Sequence, residues 1–119
     1  MLTVIIDYQS GNLHSAYKAF QRMASESGAG RVVITQDADV VAKADRIVLP
    51  GDGAFPACRH SLVTSDVFEA LKESVEVKAR PFLGICVGMQ LMAEKGYEYQ
   101  PTIGLGWIKG QVTRIVPSQ

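Results

Sequence analysis

Four short apolar runs constrain the fold more than anything else in this chain: LTVII (residues 2–6), RVVIT (31–35), RIVL (46–49) and RPFLGI (80–85). Each is rich in β-branched or bulky residues, and none alternates cleanly with polar ones. A strand of that kind is covered on both faces, as in a parallel sheet under helices. Between the runs the spacing becomes helical. Leu13, Ala16, Tyr17, Phe20 and Met23 follow the turn QSGN, residues 37–44 read as a short helix, and Phe68, Leu71 and Val75 mark another. Residues 88–94 open a further helix. Strand and helix alternate to about residue 95, which predicts a single α/β domain with an open, mostly parallel sheet flanked by helices.

From Tyr97 the texture changes. Gly104, Gly106 and Gly110 punctuate LGWIKGQVTRIV, which reads as short antiparallel edge strands at the rim of the sheet. The sequence then stops at Gln119, where a sheet that has just added edge strands needs more chain to cover it. The expectation is an incomplete domain, with residues 1–119 its N-terminal portion.

Lys plus Arg equal Asp plus Glu at 12 each, so no long-range field selects nucleic acid or an anionic membrane surface. The run LTVII is too short to span a bilayer and no basic segment precedes it, so a cytoplasmic protein is expected. Cys58 and Cys86 form no CxxC, and neither pairs with His14 or His60 at a zinc spacing. No disulfide framework, metal or cofactor is expected.

The segment PFLGICVGMQLMAE places Cys86 between Gly84 and Gly88, directly after an apolar strand and before a helix. This is the pattern of a nucleophile elbow, a tight turn that lifts a reactive side chain above the carboxyl ends of the strands. The flanking glycines would permit close backbone packing. Amides and dipole at the helix mouth would favour a thiolate and could stabilise an oxyanion. The competing reading is a small buried residue in a Gly-rich turn. That reading fits Cys58 better, since ACRH has no elbow around it.

Pro-Gly-Asp-Gly follows the third strand, at the same sheet edge as Cys86 if the strands are parallel. Its two glycines would let a backbone N–H turn toward a reacting carbonyl. The first turn, DYQSGN, faces this edge as well, but it has one glycine and lacks the GxGxxG spacing of a dinucleotide site.

Together IIDYQSGN, VLPGDGAF, PFLGICVGMQL and GLGWIKGQV, in this order, resemble the glutaminase subunits of imidazole glycerol phosphate synthase, which are class I glutamine amidotransferases with a flavodoxin-like core. The resemblance implies that Cys86 attacks the side-chain amide of glutamine, releasing ammonia and leaving a γ-glutamyl thioester that water hydrolyses. It implies an oxyanion hole from the Val87 amide and one from the turn containing Asp52 and Gly53, with a peptide around Asp52 able to reorient. Gln90 and Glu98 would contact the substrate, and Asn12 would lie near the interface with a (β/α)8-barrel cyclase subunit that consumes the ammonia in histidine biosynthesis. Two residues depart from the family pattern: Gln9 replaces a glycine, and Asp52 stands where a small apolar residue is common, a change that suits a side chain pointing to solvent.

A cysteine nucleophile needs a base, and this family takes a histidine and its orienting glutamate from a His-Pro-Glu motif. The sequence contains no such motif. Its histidines are His14, at the start of the first helix, and His60, in the segment after the Pro-Gly-Asp-Gly turn. The expectation is a chain that holds the nucleophile half of a glutaminase and is inactive alone. Two other readings carry different chemistry: a DJ-1-like reactive-cysteine protein, disfavoured by GMQ and PGDGAF, and a flavodoxin-like binding module that takes phosphate on QSGN.

Overall fold

The computed structural model describes every residue except Ser10, Asn12 and Gln119. Its main sheet contains β1 (Leu2–Ile6), β2 (Arg31–Thr35), β3 (Arg46–Leu49) and β4 (Phe82–Gly84), in the order β2-β1-β3-β4. All three pairings are parallel. Central β1 is buried from Thr3 to Ile6, as its unbroken apolar run requires, and Val4, Ile6, Ile47 and Leu49 join one core with Phe55, Leu62, Leu71 and Leu91. Full burial of side chains this size contributes about 1.5–3 kcal/mol each.

The helices fall near their expected places. α1 (His14–Ser27) ends at Gly28, whose φ of 69° is the left-handed conformation that stops a helix without a Cβ penalty. α2 (Ala38–Ala42) starts at Asp37, whose carboxylate accepts the Asp39 amide. α3 (Phe55–Val63) has Pro56 in its first turn, and α4 (Phe68–Lys72) runs on into a π-helical turn, Glu73–Val77. The fourth strand is shorter than its apolar run, with Ala79 at a positive φ of 53° just before it.

The helix expected over 88–94 is a single turn, α5 (Val87–Gln90), followed by β5 (Ala93–Gly96). The carbonyls that would continue the helix are taken by the Gly-rich segment behind it. Leu105 N–H donates to Leu91 O at 2.7 Å, Ile108 to Met92 at 2.9 Å, Gly106 to Ala93 at 3.1 Å and Gly104 to Glu94 at 2.9 Å. Gly104 must be glycine for this, since a Cβ there would stand 2.1 Å from Ala93 O.

The C-terminal strands therefore form a sheet of their own beside the main one, in the order β6-β5-β7, with β6 (Thr102–Ile103) and β7 (Ile108–Val112). β5–β6 is antiparallel, but β7, which lies in the glycine-punctuated segment expected to form antiparallel strands, pairs parallel with β5, with an irregularity between Ala93 and Lys95. Close side-chain contacts help fasten the second sheet to the main one. Gly96 lies flat on the Phe55 ring, and Trp107 meets Phe82 edge-to-face at 5.1 Å while its indole N–H donates to Glu76 at 3.0 Å.

Candidate functional site at the carboxyl edge of the sheet

In an open parallel sheet, ligand sites form outside the carboxyl ends of the strands where the strand order reverses. Here that point lies between β1 and β3. Three segments converge on it: the turn after β1, the turn at 50–53 after β3, and the residues after β4. They enclose a cleft of about 680 Å³ walled by Leu13 and Phe20 on one side and by Gly51, Asp52, Gly53, Cys86 and Val87 on the other.

Cys86 is exposed at this cleft with φ 53° and ψ −122°, a region that L-residues avoid. Such a conformation costs on the order of 1–3 kcal/mol and persists only where the surroundings impose it. The glycines on either side supply that imposition. A Cβ on Gly88 would stand 1.9 Å from Leu49 O, and one on Gly84 would stand 2.7 Å from Met89 Cα. Strand β3 thus packs against the start of α5 with no side chain between them, and the chain has no relaxed route around Cys86.

The structure holds one arrangement of the expected oxyanion donors. The Val87 amide does face the turn at 50–53, but it donates to the Gly51 carbonyl at 3.3 Å. No peptide in the described chain is cis, so the Asp52 N–H, on the opposite side of that same peptide, points away from Val87. The two donors do not converge in this arrangement. α5 is one turn of four residues, so the aligned dipole expected behind the cysteine is short.

Asp52 is exposed, as expected of a carboxylate beside such a turn, and it packs over Gly11, where a Cβ would stand 2.7 Å from Asp52 Cβ. The other departure, Gln9, has φ 64°. That left-handed backbone explains why glycine suits the position.

Gln90 and Glu98 come together, but on a second cleft of about 490 Å³ with Tyr97, Tyr99 and Arg114; Cys86 is not on its wall. The Glu98 carboxylate accepts the Phe55 amide at 2.7 Å. Pro56 has no N–H to offer, so Glu98 serves as an acceptor for the first free donor of α3. Asn12 lies outside the described residues.

Among the described residues, neither histidine lines the cleft that holds Cys86. His14 is exposed on α1, and His60 lines a separate polar cleft with Asp7, Tyr8 and Gln9. No group of three or more His, Cys, Asp and Glu side chains among the described residues is arranged to hold a metal ion. No described helix is long and apolar enough to cross a membrane.

The sequence reading missed Tyr8. It is 2% exposed, and its hydroxyl donates to Pro50 O at 2.5 Å. The signal was available, since Tyr8 continues the inward series Val4, Ile6 past the end of β1. Cys58, read as structural, is 4% exposed beneath the same turn, with Sγ 3.9 Å from Asp52 O. Burial pushes its thiol pKa up, outweighing the neighbouring Tyr8 hydroxyl and Asp52 backbone, which favour the thiolate.

With this geometry, the family model for class-I glutamine amidotransferases matches residues 4–103. The chain belongs to that family. The DJ-1-like and flavodoxin-like readings are thereby set aside. The chain is 68% identical over 118 residues to the imidazole glycerol phosphate synthase subunit HisH of Ruegeria pomeroyi, covering 98% of itself and 56% of that protein. It is 62% identical over 119 residues to the HisH subunit of Cereibacter sphaeroides and 58% identical over 120 residues to that of Brucella abortus. It spans about half the length of these curated relatives, 56% in each case.

Proposed function

We propose that this amidotransferase chain is the N-terminal portion of a single glutaminase domain of imidazole glycerol phosphate synthase, acting in the cytoplasm in histidine biosynthesis. The observation that carries the reading is Cys86, exposed and held at φ 53° over a cleft it shares with the Gly-Asp-Gly turn. The class-I glutamine amidotransferase family supports glutamine as the substrate, and relatives named as imidazole glycerol phosphate synthase subunit HisH support the assignment to that synthase.

In this reading the Cys86 sulfur attacks the side-chain amide carbon of glutamine. An S–C bond forms, the oxygen takes the negative charge, and the C–N bond then breaks as the nitrogen receives a proton and leaves as ammonia. Water hydrolyses the γ-glutamyl thioester to glutamate and restores the thiol. The oxyanion requires donors from Val87 and from Asp52 or Gly53; with the Asp52 amide as the second donor, the Gly51–Asp52 peptide must turn over before the chemistry. Gln90 and Glu98 hold the substrate's amino-acid end, which also requires the two clefts to join. Ammonia passes to a (β/α)8-barrel cyclase partner, with Asn12 near that contact.

A general base is the missing element, because neither His14 nor His60 shares the Cys86 cleft. The chain alone is therefore expected to hydrolyse glutamine poorly or not at all. Intact mass after treatment with 6-diazo-5-oxo-L-norleucine, with peptide mapping to separate Cys86 from Cys58, tests the reading. Selective labelling of Cys86 that glutamine blocks supports it; labelling indifferent to glutamine, in a folded chain, counts against it. Steady ammonia release abolished by Cys86→Ala would refute the expected inactivity.

A further inference from the structure

The turn at residues 50–53 offers three successive carbonyls, and each is held by a different element. Pro50 O accepts from the Tyr8 hydroxyl at 2.5 Å, Gly51 O accepts from the Val87 amide at 3.3 Å, and Asp52 O lies 3.9 Å from Cys58 Sγ. The outer two partners belong to the core: Tyr8 follows β1 at 2% exposure and Cys58 sits on α3 at 4%. The middle bond, at 3.3 Å, is beyond the usual 2.7–3.2 Å range of an N–H···O bond, and the Cys58 contact at 3.9 Å is a weak S–H···O one. A single peptide can rotate through ψ of Gly51 and φ of Asp52 while its neighbours stay still. When it does, the Asp52 N–H replaces the Gly51 carbonyl beside the Val87 N–H, and two donors converge next to Cys86.

We propose that Tyr8, with Cys58 as a second and weaker anchor, is a positioning residue that pins the peptides flanking Gly51–Asp52 and confines the reorganisation of the oxyanion turn to that one peptide. The purpose of the device rests on the glutaminase reading above; its existence rests on the turn alone. Gly51 is tied into the same device, since a Cβ there would stand 2.9 Å from the Tyr8 hydroxyl and 2.5 Å from Gly88 N. Tyr8 touches no substrate in this scheme. It acts by keeping Pro50 O in place, so that the rotated N–H arrives in one orientation instead of several.

The test uses the full chain and the variants Tyr8→Phe, Cys58→Ala and Cys58→Ser, each checked for cooperative melting. Backbone ¹⁵N relaxation dispersion reads microsecond-to-millisecond exchange peptide by peptide. In the parent, exchange is expected at the Asp52 and Val87 amides, with the Gly51 and Gly53 amides quiet. Tyr8→Phe brings the Gly51 amide into exchange and Cys58→Ala brings in Gly53, while Cys58→Ser, which keeps a donor, restores the parent pattern. In parallel, alkylation of Cys86 by 6-diazo-5-oxo-L-norleucine, whose carbonyl uses the oxyanion donors, falls about fivefold in Tyr8→Phe relative to alkylation by iodoacetamide, which does not use them. Unchanged dispersion in Tyr8→Phe, or Gly51 exchanging in the parent as much as Asp52, overturns the proposal. Confined exchange in a parent whose Cys86 ignores the diazoketone would sink the glutaminase reading and leave the anchors standing.

Discussion

The Val87 amide donates to the Gly51 carbonyl, and this 3.3 Å contact joins the turn after β3 to the turn after β4. It can form only because Gly51 has no side chain: a Cβ there would meet Gly88 N at 2.5 Å and Val87 C at 3.0 Å, both backbone atoms with no room to yield. Gly51→Ala is therefore predicted to destabilise the chain by about 2–3 kcal/mol, at the upper end of ordinary overpacking. Gly28→Ala makes the comparison, since at φ 69° with open space around it only backbone strain of about 1 kcal/mol applies. Urea denaturation of the two variants gives the difference directly. Equal losses would mean that the junction is looser than the geometry shows.

Cys86 holds a backbone conformation that glycine adopts freely. Cys86→Gly is predicted to stabilise the fold by about 1 kcal/mol, the relief of strain less the extra entropy of an unfolded glycine. Cys86→Ala keeps the strain and is predicted to be neutral within about 0.5 kcal/mol. Both lose the diazoketone adduct. If Cys86→Gly is instead destabilising, the strained turn is not where the chain stores its energy, and an elbow held under tension is the wrong description.

Within the main sheet β1 and β3 were legible in the sequence because they are buried on both faces; β2, only half-buried at the sheet edge, was legible as an apolar run of β-branched residues, and all three have the bounds observed. The elbow was legible for a related reason: Gly84 and Gly88 mark backbone contacts that admit no other residue. The region after Cys86 was not. Gly88 to Glu94 reads as a helix opening, and what ends the helix is competition from residues 104–108 for its carbonyls, a tertiary effect that no local pattern records. Tyr8 was overlooked because its role depends on a carbonyl 42 positions away in the chain. The separation of Gln90 and Glu98 from Cys86 is likewise a property of how the second sheet docks.

Glu98 makes a bond that a substrate role alone does not require. Its carboxylate accepts the Phe55 amide at 2.7 Å, next to a proline that offers no donor. Glu98→Ala is predicted to cost about 1 kcal/mol of stability, the usual loss of a helix N-terminal acceptor, and Glu98→Gln to recover part of it through the amide oxygen. Thermal or urea melts of the pair measure this. If Glu98 also holds the substrate, as proposed, both variants lose protection of Cys86 by glutamine. Loss of stability with protection intact would make Glu98 a cap and nothing more.

Cys58 gives the chain a pH dependence whose sign follows from burial. Desolvation raises its thiol pKa above the ordinary value of 9.0, because the thiolate would lose its hydration beneath the turn at 50–53. The folded chain therefore holds the proton at pH values where the unfolded chain has released it. With fewer protons bound in the unfolded state, stability falls as pH rises. The contribution of Cys58 is fully present below the unfolded thiol pKa and is lost progressively as the pH climbs toward the raised folded value. Denaturant midpoints measured from neutral pH upward are predicted to decline above about pH 9 in the parent and to decline less in Cys58→Ala. The same burial predicts that a thiol reagent at pH 8 labels exposed Cys86 while Cys58 reacts only on the timescale of opening. Labelling of both thiols at equal rates in the folded chain would show that the turn at 50–53 does not shield Cys58, and the predicted pH dependence would disappear with it.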